Sequence, residues 1–236
     1  HALGTDQYDL DELYSPDTDQ WRSKVLDIGS PKYSPNKTYA FDRSRYQNHG
    51  TITGAVWKQL PSGIWVLSFD GTDDLISIPD HASLKPTAAI TVEAWFQKGT
   101  MPALSARSFV DKANAALTTG YMLWVDVNGV LAFFCYGLTA TSVSATTVVA
   151  INTWYHVVGT YDGSNLRIFV NGANDATPVA ATGSIATNTD NPWFYKYRYD
   201  NTFLAGKLGE VRIYNRALSS SEIMQNYLAT KWRYSR

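Results

Sequence analysis

"TWYHVVGTYDGSNLRIFVNG", residues 153–172, is built as two strands around a turn. In "TWYHVVGTY" (153–161) and "LRIFV" (166–170), β-branched and aromatic residues dominate, the types that fit a pleated, half-buried surface. Asp162-Gly163 between them and Asn171-Gly172 after them tolerate the positive φ angles of tight turns. The segment therefore predicts an antiparallel hairpin followed by a second reversal of the chain.

The same pattern extends outward. "TVEAWFQ" (91–97), "GYMLWVDV" (120–127) and "VLAFFCY" (130–136) read as strands, the last two joined by Asn128-Gly129, so the middle of the chain is a meander. Runs such as "AFF" and "VVG" are apolar at successive positions, which requires cover on both faces of the strand, and two stacked sheets supply it. The expected fold is all-β: a two-sheet antiparallel jelly-roll sandwich with one short C-terminal helix. A chain of 236 residues, 44% hydrophobic and 14% aromatic, can fill one such core.

The helix is expected in "ALSSSEIMQNYLATKW" (217–232), where Ser219 can cap, Glu222 can reach back to it, and Leu218 and Ile223 can form the hydrophobic staple. It should start at Ser219 or Ser220, burying Ile223 and Tyr227 together with Met224 and Trp232 as a cover on the sandwich. Residues 1–36 lack periodicity and are expected to form an extended arm, with Trp21, Val25 and Leu26 as anchoring points and residues 37–236 forming the jelly roll.

A net charge of −1 and a pI near 6.5 give no field to gather nucleic acid or anionic lipid. No apolar run is long enough for a membrane span, and the polar, acidic first thirty residues predict no intact secretory signal there. The single cysteine, Cys135, excludes a disulfide within the chain and sits among apolar neighbours as an inert core residue.

Four stretches resemble the laminin-G-like jelly rolls of the concanavalin-A-like lectin and glucanase superfamily: "FDGTDDLISIPD" (69–80), "AAITVEAWFQ" (88–97), "NTWYHVVGTYDGSNLRIFVNG" (152–172) and "GKLGEVRIYNRALSSSEI" (206–223). Their order and spacing are kept over about residues 38 to 229. The resemblance implies a lectin, carbohydrate-binding, adhesion or accessory domain, and does not choose among them.

It also directs attention to calcium. "FDRSRYQNHGT" (41–51) is similar to a loop that in the family holds a structural calcium ion, which makes Asp42 and Asn48 candidate ligands, although Arg45 stands where the family has Gly. The family's second ligand is an Asp at a position held here by Glu210, with Gly209 before it. Asp70, with Asp73 and Asp74, is a turn former first and a metal ligand as the alternative: Gly71 is misplaced for an EF-hand loop. Paired catalytic carboxylates are not expected, because the glucanases of the superfamily carry E-x-D-x-x-E and Glu93 has no acidic residue two or five positions on. His156 is expected to make a structural hydrogen bond.

"NPWFYKYRYDNTF" (191–203) is the candidate ligand site. As one strand it would place Trp193, Tyr195, Tyr197 and Tyr199 on one face and Phe194, Lys196 and Arg198 on the other. Rings stack on the C–H faces of sugars while phenols and Arg bond to hydroxyls, so Trp193, Tyr195, Tyr197, Arg198 and Tyr199 are candidate ligand-binding residues; the alternative is that the rings are core. The expected protein is a non-catalytic binding module for carbohydrate or a surface polymer, at the cell exterior, a cell surface or a virion surface. The second reading is an assembly protein, such as a virion component or adhesin, that forms a homo-oligomer or larger array through residues 1–36.

Overall fold

A computed structural model describes residues 18–29, 38–100 and 107–234. The hairpin is present as β12 (Trp154–Tyr161) and β13 (Asn165–Val170), with Val157 opposite Val170 and Tyr161 opposite Leu166. Its two reversals use Gly163 at φ +92° and Asn171 at φ +52°.

Around this hairpin lies a nine-stranded sheet in the order β14 (Ala173–Asn174), β13, β12, β7 (Ile90–Lys98), β19 (Ala205–Tyr214), β5 (Trp65–Asp70) and β4 (Val56–Gln59). Strand β1 (Lys24–Ile28) joins it on β19 and β15 (Val179–Ala180) on β13. The opposing eight-stranded sheet runs β11 (Ser142–Val148), β10 (Val130–Cys135), β9 (Tyr121–Val125), β8 (Arg107–Asp111), β16 (Trp193–Phe194), β6 (Leu75–Ser77), β3 (Gly50–Thr53) and β2 (Tyr39–Ala40). A small hairpin of β17 (Lys196–Tyr197) and β18 (Thr202–Phe203) belongs to neither sheet. This is the expected two-sheet antiparallel sandwich.

Alternation sends Val92, Ala94 and Phe96 of β7 into the space between the sheets, where they meet Phe109, Leu123 and Phe133 from the opposite side. Phe96 stacks on Phe109 with ring centroids 4.1 Å apart. Gly159 marks the closest approach of the layers, since a Cβ there would lie 2.2 Å from Cγ of Phe133. Cys135 is buried in this core and burial pushes its thiol up, away from the reactive thiolate, as expected.

The helix α2 (Ser220–Thr230), preceded in sequence by α1 (Thr18–Ser23), starts where the capping box sets it: Ser219 accepts from Glu222 N, and Glu222 reaches back to the backbone of Ser219. It lies on the outward face of the nine-stranded sheet, with Ile223 packed against Val158, Phe169, Tyr214 and Leu218. The expectation for its other apolar residues needs correction. Met224 and Trp232 are 36% and 55% exposed: Met224 sits with Leu228, 49% exposed, on the side of α2 away from the sheet, and Trp232 lies in the short 3-10 turn Lys231–Arg233 that follows the helix.

The expected arm is also corrected where it is described. Residues 24–28 are a strand of the sheet, with Leu26 opposite Ile213 and Val25, Leu26 and Ile28 in the core, so the domain begins before residue 37. Five residues containing one inward Leu-x-Ile alternation and an aspartate are too short a signal to reveal a strand. Residues 1–17 and 30–36 of that arm, and the side chain of Trp21, lie outside the described residues.

Candidate functional site

The two outward faces of the sandwich are treated differently. On the nine-stranded sheet α2 and the chain that follows it cover a buried charged row, whereas among the described residues the eight-stranded sheet is crossed by the β17–β18 hairpin. Paired residues point to the same side of a sheet, so the register defines one outward row across all eight strands: Tyr39, Thr51, Ser77, Trp193, Asp111, Met122, Phe134 and Ser142. The hairpin sits over its centre, where Asp111 and Met122 are buried, and leaves the two ends open.

On one side of the hairpin is an aromatic band. Trp124 meets Phe134 edge-on at 5.7 Å, Phe134 stacks with Tyr136 at 6.0 Å, and Tyr197 packs into the same cluster beside Tyr136 and Met122. Tyr199 extends the band, 5.9 Å from Tyr197 and 63% exposed. Trp124 and Phe134 are half-buried, so their outer edges are open to a ligand. Burial and the nearby charge of Asp111 push the Tyr197 phenol up to about 12, which keeps it a neutral donor.

The stretch 191–203 is not the continuous strand expected. Tyr195 takes φ +64°, a left-handed conformation that breaks the run between Phe194 and Lys196. Its ring turns into the core and stacks on Phe69 at 4.1 Å, while its hydroxyl serves the carbonyls of Lys207 and, at 3.3 Å, Gln97. Tyr195 is thus a core residue and leaves the set of candidate ligand residues. Trp193 remains on the outward face, but its π surface is taken up by the chain's own cations, with Arg198 3.6 Å and Lys196 4.2 Å from the ring centroid. Arg198 is further held by the carbonyl of Asn191 and by Asp190 at 3.7 Å. Of the five residues singled out in the sequence, Tyr197 and Tyr199 join the aromatic band, Trp193 and Arg198 stack on the other side of the hairpin, and Tyr195 is buried.

Asp111 clips the hairpin to the sheet. It accepts from Arg198 N at 3.0 Å, Ala113 N at 2.9 Å and Ser108 Oγ at 3.0 Å, and burial raises its carboxyl to about 6.

The candidate metal ligands do not converge. Asp42 is a structural hub: its Oδ1 accepts from Asp27 N and Ser44 N, and its Oδ2 accepts from Ser44 Oγ and Asn48 N, all within 2.9 Å. With four donors on it the carboxylate is already satisfied. The Asn48 amide is used likewise, donating to Val25 O and Ser83 Oγ. Glu210 is paired with two guanidiniums, Arg212 at 2.8 Å and Arg233, which hold its carboxyl below the usual range despite its burial. Asp42 and Glu210 do not fit a calcium ion, since donors and cations occupy their oxygens, and Asn48 is held by the bonds its amide nitrogen makes. Asp70 differs: with Asp73 and Asp74 it brings three carboxylate oxygens within 4.8 Å of one another, a group that can hold a metal ion. Burial and the charges of Asp70 and Asp73 push Asp74 up, although the bond from Asp70 N opposes this.

An oxygen cage elsewhere is filled by the protein itself. The buried ammonium of Lys112 lies 2.9 Å from Asp80 Oδ1, 3.0 Å from Asn188 Oδ1, 3.3 Å from Asn188 O and 2.6 Å from Asp190 O. It ties the start of the segment that leads to Trp193 to the end of β8.

The model of the concanavalin A-like lectin/glucanases superfamily matches residues 70–224. The chain belongs to that superfamily. None of the curated proteins compared matches it. Among solved structures, the binding domain of the Paraclostridial mosquitocidal protein 1 superposes with a TM-score of 0.69 at 14% identity, covering 89% of this chain and 53% of that one. A structure of botulinum neurotoxin type C gives 0.66 at 14% identity over 89% and 52%, and the Trypanosoma rangeli sialidase gives 0.63 at 18% identity over 89% and 33%. The chain therefore spans about half the length of the toxin structures and a third of the sialidase, and at such identities the likeness concerns the fold.

For a superfamily that includes glucanases, the carboxylates of the sheets matter. Glu93 points away from the open face: with Arg212 at 3.3 Å, His156 at 2.9 Å, Tyr214 at 3.2 Å and Asn226 at 3.0 Å it is sealed beneath α2. Burial works against its ionisation, but Arg212 and then His156 draw its carboxyl down to about 2. His156 thus makes the structural bond expected of it.

Sequence reasoning missed Trp124, Phe134, Tyr136 and Asp111. A signal existed for the rings: in "YMLWV" and "VLAFFCY", Met122 and Trp124 alternate with core residues, as do Phe134 and Tyr136, so the second face of both strands is already apolar.

Proposed function

We propose that this domain is a lectin-like, non-catalytic binding module that takes carbohydrate or a surface polymer on the outward face of the eight-stranded sheet. The observation that carries the reading is the aromatic band of Trp124, Phe134, Tyr136, Tyr197 and Tyr199 on a broad sheet face that, among the described residues, no helix covers. The open edges of Trp124 and Phe134 and the exposed ring of Tyr199, over a floor of buried Tyr136 and Tyr197, suit the alternating C–H and hydroxyl surfaces of sugars. Membership of a lectin and glucanase superfamily supports it, as does the likeness to toxin binding domains, one from a study of neurotoxin entry that depends on two ganglioside molecules. The setting that follows is a secreted, cell-surface or virion-surface one; among the described residues no helix is long and apolar enough to cross a membrane.

A glycan array followed by titration of the best hit tests this. Trp124→Ala and Tyr199→Ala should each weaken saturable binding by about tenfold or more, a loss of roughly 1.4 kcal/mol. A folded protein that binds no glycan sinks the proposal. Calcium at Asp70, Asp73 and Asp74 belongs to the same reading, and it predicts a melting temperature that rises with calcium and falls with chelator, because a ligand bound only by the folded state stabilises it.

The second reading, an assembly or adhesion protein, is favoured by the exposed apolar residues Met224 and Leu228 on α2 and Trp232 in the turn after it. Under it the protein forms an oligomer that Leu228→Glu disperses, measured by light scattering.

A further inference from the structure

Within the proposed glycan-binding reading, we propose that the half of the outward row around Trp193 and Lys196 selects saccharides carrying an anionic group, a carboxylate or a sulfate. Lys196 lies over two rings, 4.2 Å from the centroid of Trp193 and 4.9 Å from that of Phe203. Among the described residues its ammonium has neither a carboxylate nor a hydrogen-bond acceptor, and it is not among the sealed polar atoms. A cation placed this way is held in position by apolar surface and still has N–H donors free for a ligand.

The groups beside it are donors too. The indole N–H of Trp193 is neither bonded within the protein nor sealed from water. Ser77, directly opposite Trp193 on the neighbouring strand, receives a weak 3.5 Å bond from Asn191 and keeps its hydroxyl hydrogen, and Thr51 is next in the row. Two carboxylates of this region are already committed: Asp190 pairs with Arg198, and Asp111 is buried under three donors. Burial and the like charge of Arg198 hold Lys196 below the usual ammonium range, and an incoming anion offsets the like charge. Arg198 acts through position, fixed between the Trp193 ring and the Asn191 carbonyl, and leaves Lys196 as the cation available to a ligand.

The test uses three polymers, a neutral glucan, a polyuronate and a sulfated glucan, titrated against the whole chain and its variants at low and moderate salt. The wild type should prefer at least one acidic polymer by about tenfold over the neutral one, a difference of about 1.4 kcal/mol. Lys196→Gln should reduce that preference to near unity while Lys196→Arg retains most of it. Lys58→Gln, which removes the same charge from an exposed position on β4, should change nothing and controls for net charge. The uronate and sulfate arms tell which anion fits. Binding of all polymers with no acidic preference, or a preference that survives Lys196→Gln, overturns the proposal and leaves the glycan-binding reading intact. Failure to bind any polymer overturns both.

Discussion

Ser108 Oγ lies 3.0 Å from Asp111 Oδ2 and 2.9 Å from the carbonyl of Lys196, and it has one hydrogen for the two acceptors. Its hydrogen serves one acceptor at a time: Asp111 Oδ2 takes it when ionised, and the Lys196 carbonyl takes it when Asp111 is protonated and donates in turn to Ser108. The geometry thus accommodates a carboxyl raised to about 6 by burial.

Stability should therefore depend on pH in a defined direction. Between the ordinary Asp value of 3.8 and about 6 the folded state holds a proton that the unfolded state has lost, so stability falls as pH rises through this window. The shift corresponds to roughly 3 kcal/mol when fully expressed. Denaturant melts from pH 4 to 7 should show this decline, and Asp111→Ala should abolish it. Asp111→Asn is not a substitute for the neutral acid: its amide N–H₂ would oppose either Arg198 N or Ala113 N.

Tyr195 and Tyr199 make opposite predictions although both were equal candidates in the sequence. Tyr195→Phe removes the donor serving the Lys207 and Gln97 carbonyls and should destabilise by about 1–2 kcal/mol with glycan affinity unchanged. Tyr199→Ala should leave the melting temperature within a degree or so and weaken the ligand. Parallel thermal melts and binding titrations separate them.

Arg212 is the one cation between Glu93 at 3.3 Å, Glu210 at 2.8 Å and Asp27 at 3.6 Å. Arg212→Met should cost roughly 3–5 kcal/mol, since it leaves buried carboxylates with too few partners. The depressed Glu93 of the wild type contributes stability that is complete above 4.5 and is lost as pH falls toward about 2. In the variant the carboxyl would titrate upward, so its deficit should narrow between pH 7 and 4. A deficit independent of pH would contradict this account.

Lys112→Met should destabilise by several kcal/mol, about 3 as an order of magnitude, because four oxygens lose their common donor. Chemical denaturation measures it. Adding potassium or calcium to the variant should recover part of the loss, and neither should affect the wild type through this cage.

How much was readable in advance follows from the range of each interaction. The β12–β13 hairpin and the α2 cap are local: Asp162-Gly163 and Ser219 with Glu222 carry their structural consequence within a few residues. The kink at Tyr195 was not readable, because alternation predicted a strand and the stacking on Phe69 overrode it from 126 positions away, as the numbers 195 and 69 give. The Glu93–Arg212 pair spans 119 residues, so Glu93 in isolation offered only a weak catalytic candidacy. Asp42 shows the converse. Its motif resembles a calcium loop, but which atoms reach its oxygens is decided by Asp27 and Ser44 amides that no spacing rule reveals.

The Lys112 cage has a consequence for where such a domain can work. Four oxygens of the kind that coordinate a hard cation close around an ammonium that arrives on its own side chain. A counter-ion joined to the backbone cannot be washed out by dilution, stripped by a competing chelator or exchanged when the surrounding salt changes. The loop that carries Trp193 is thereby anchored in brine and in ion-poor water alike.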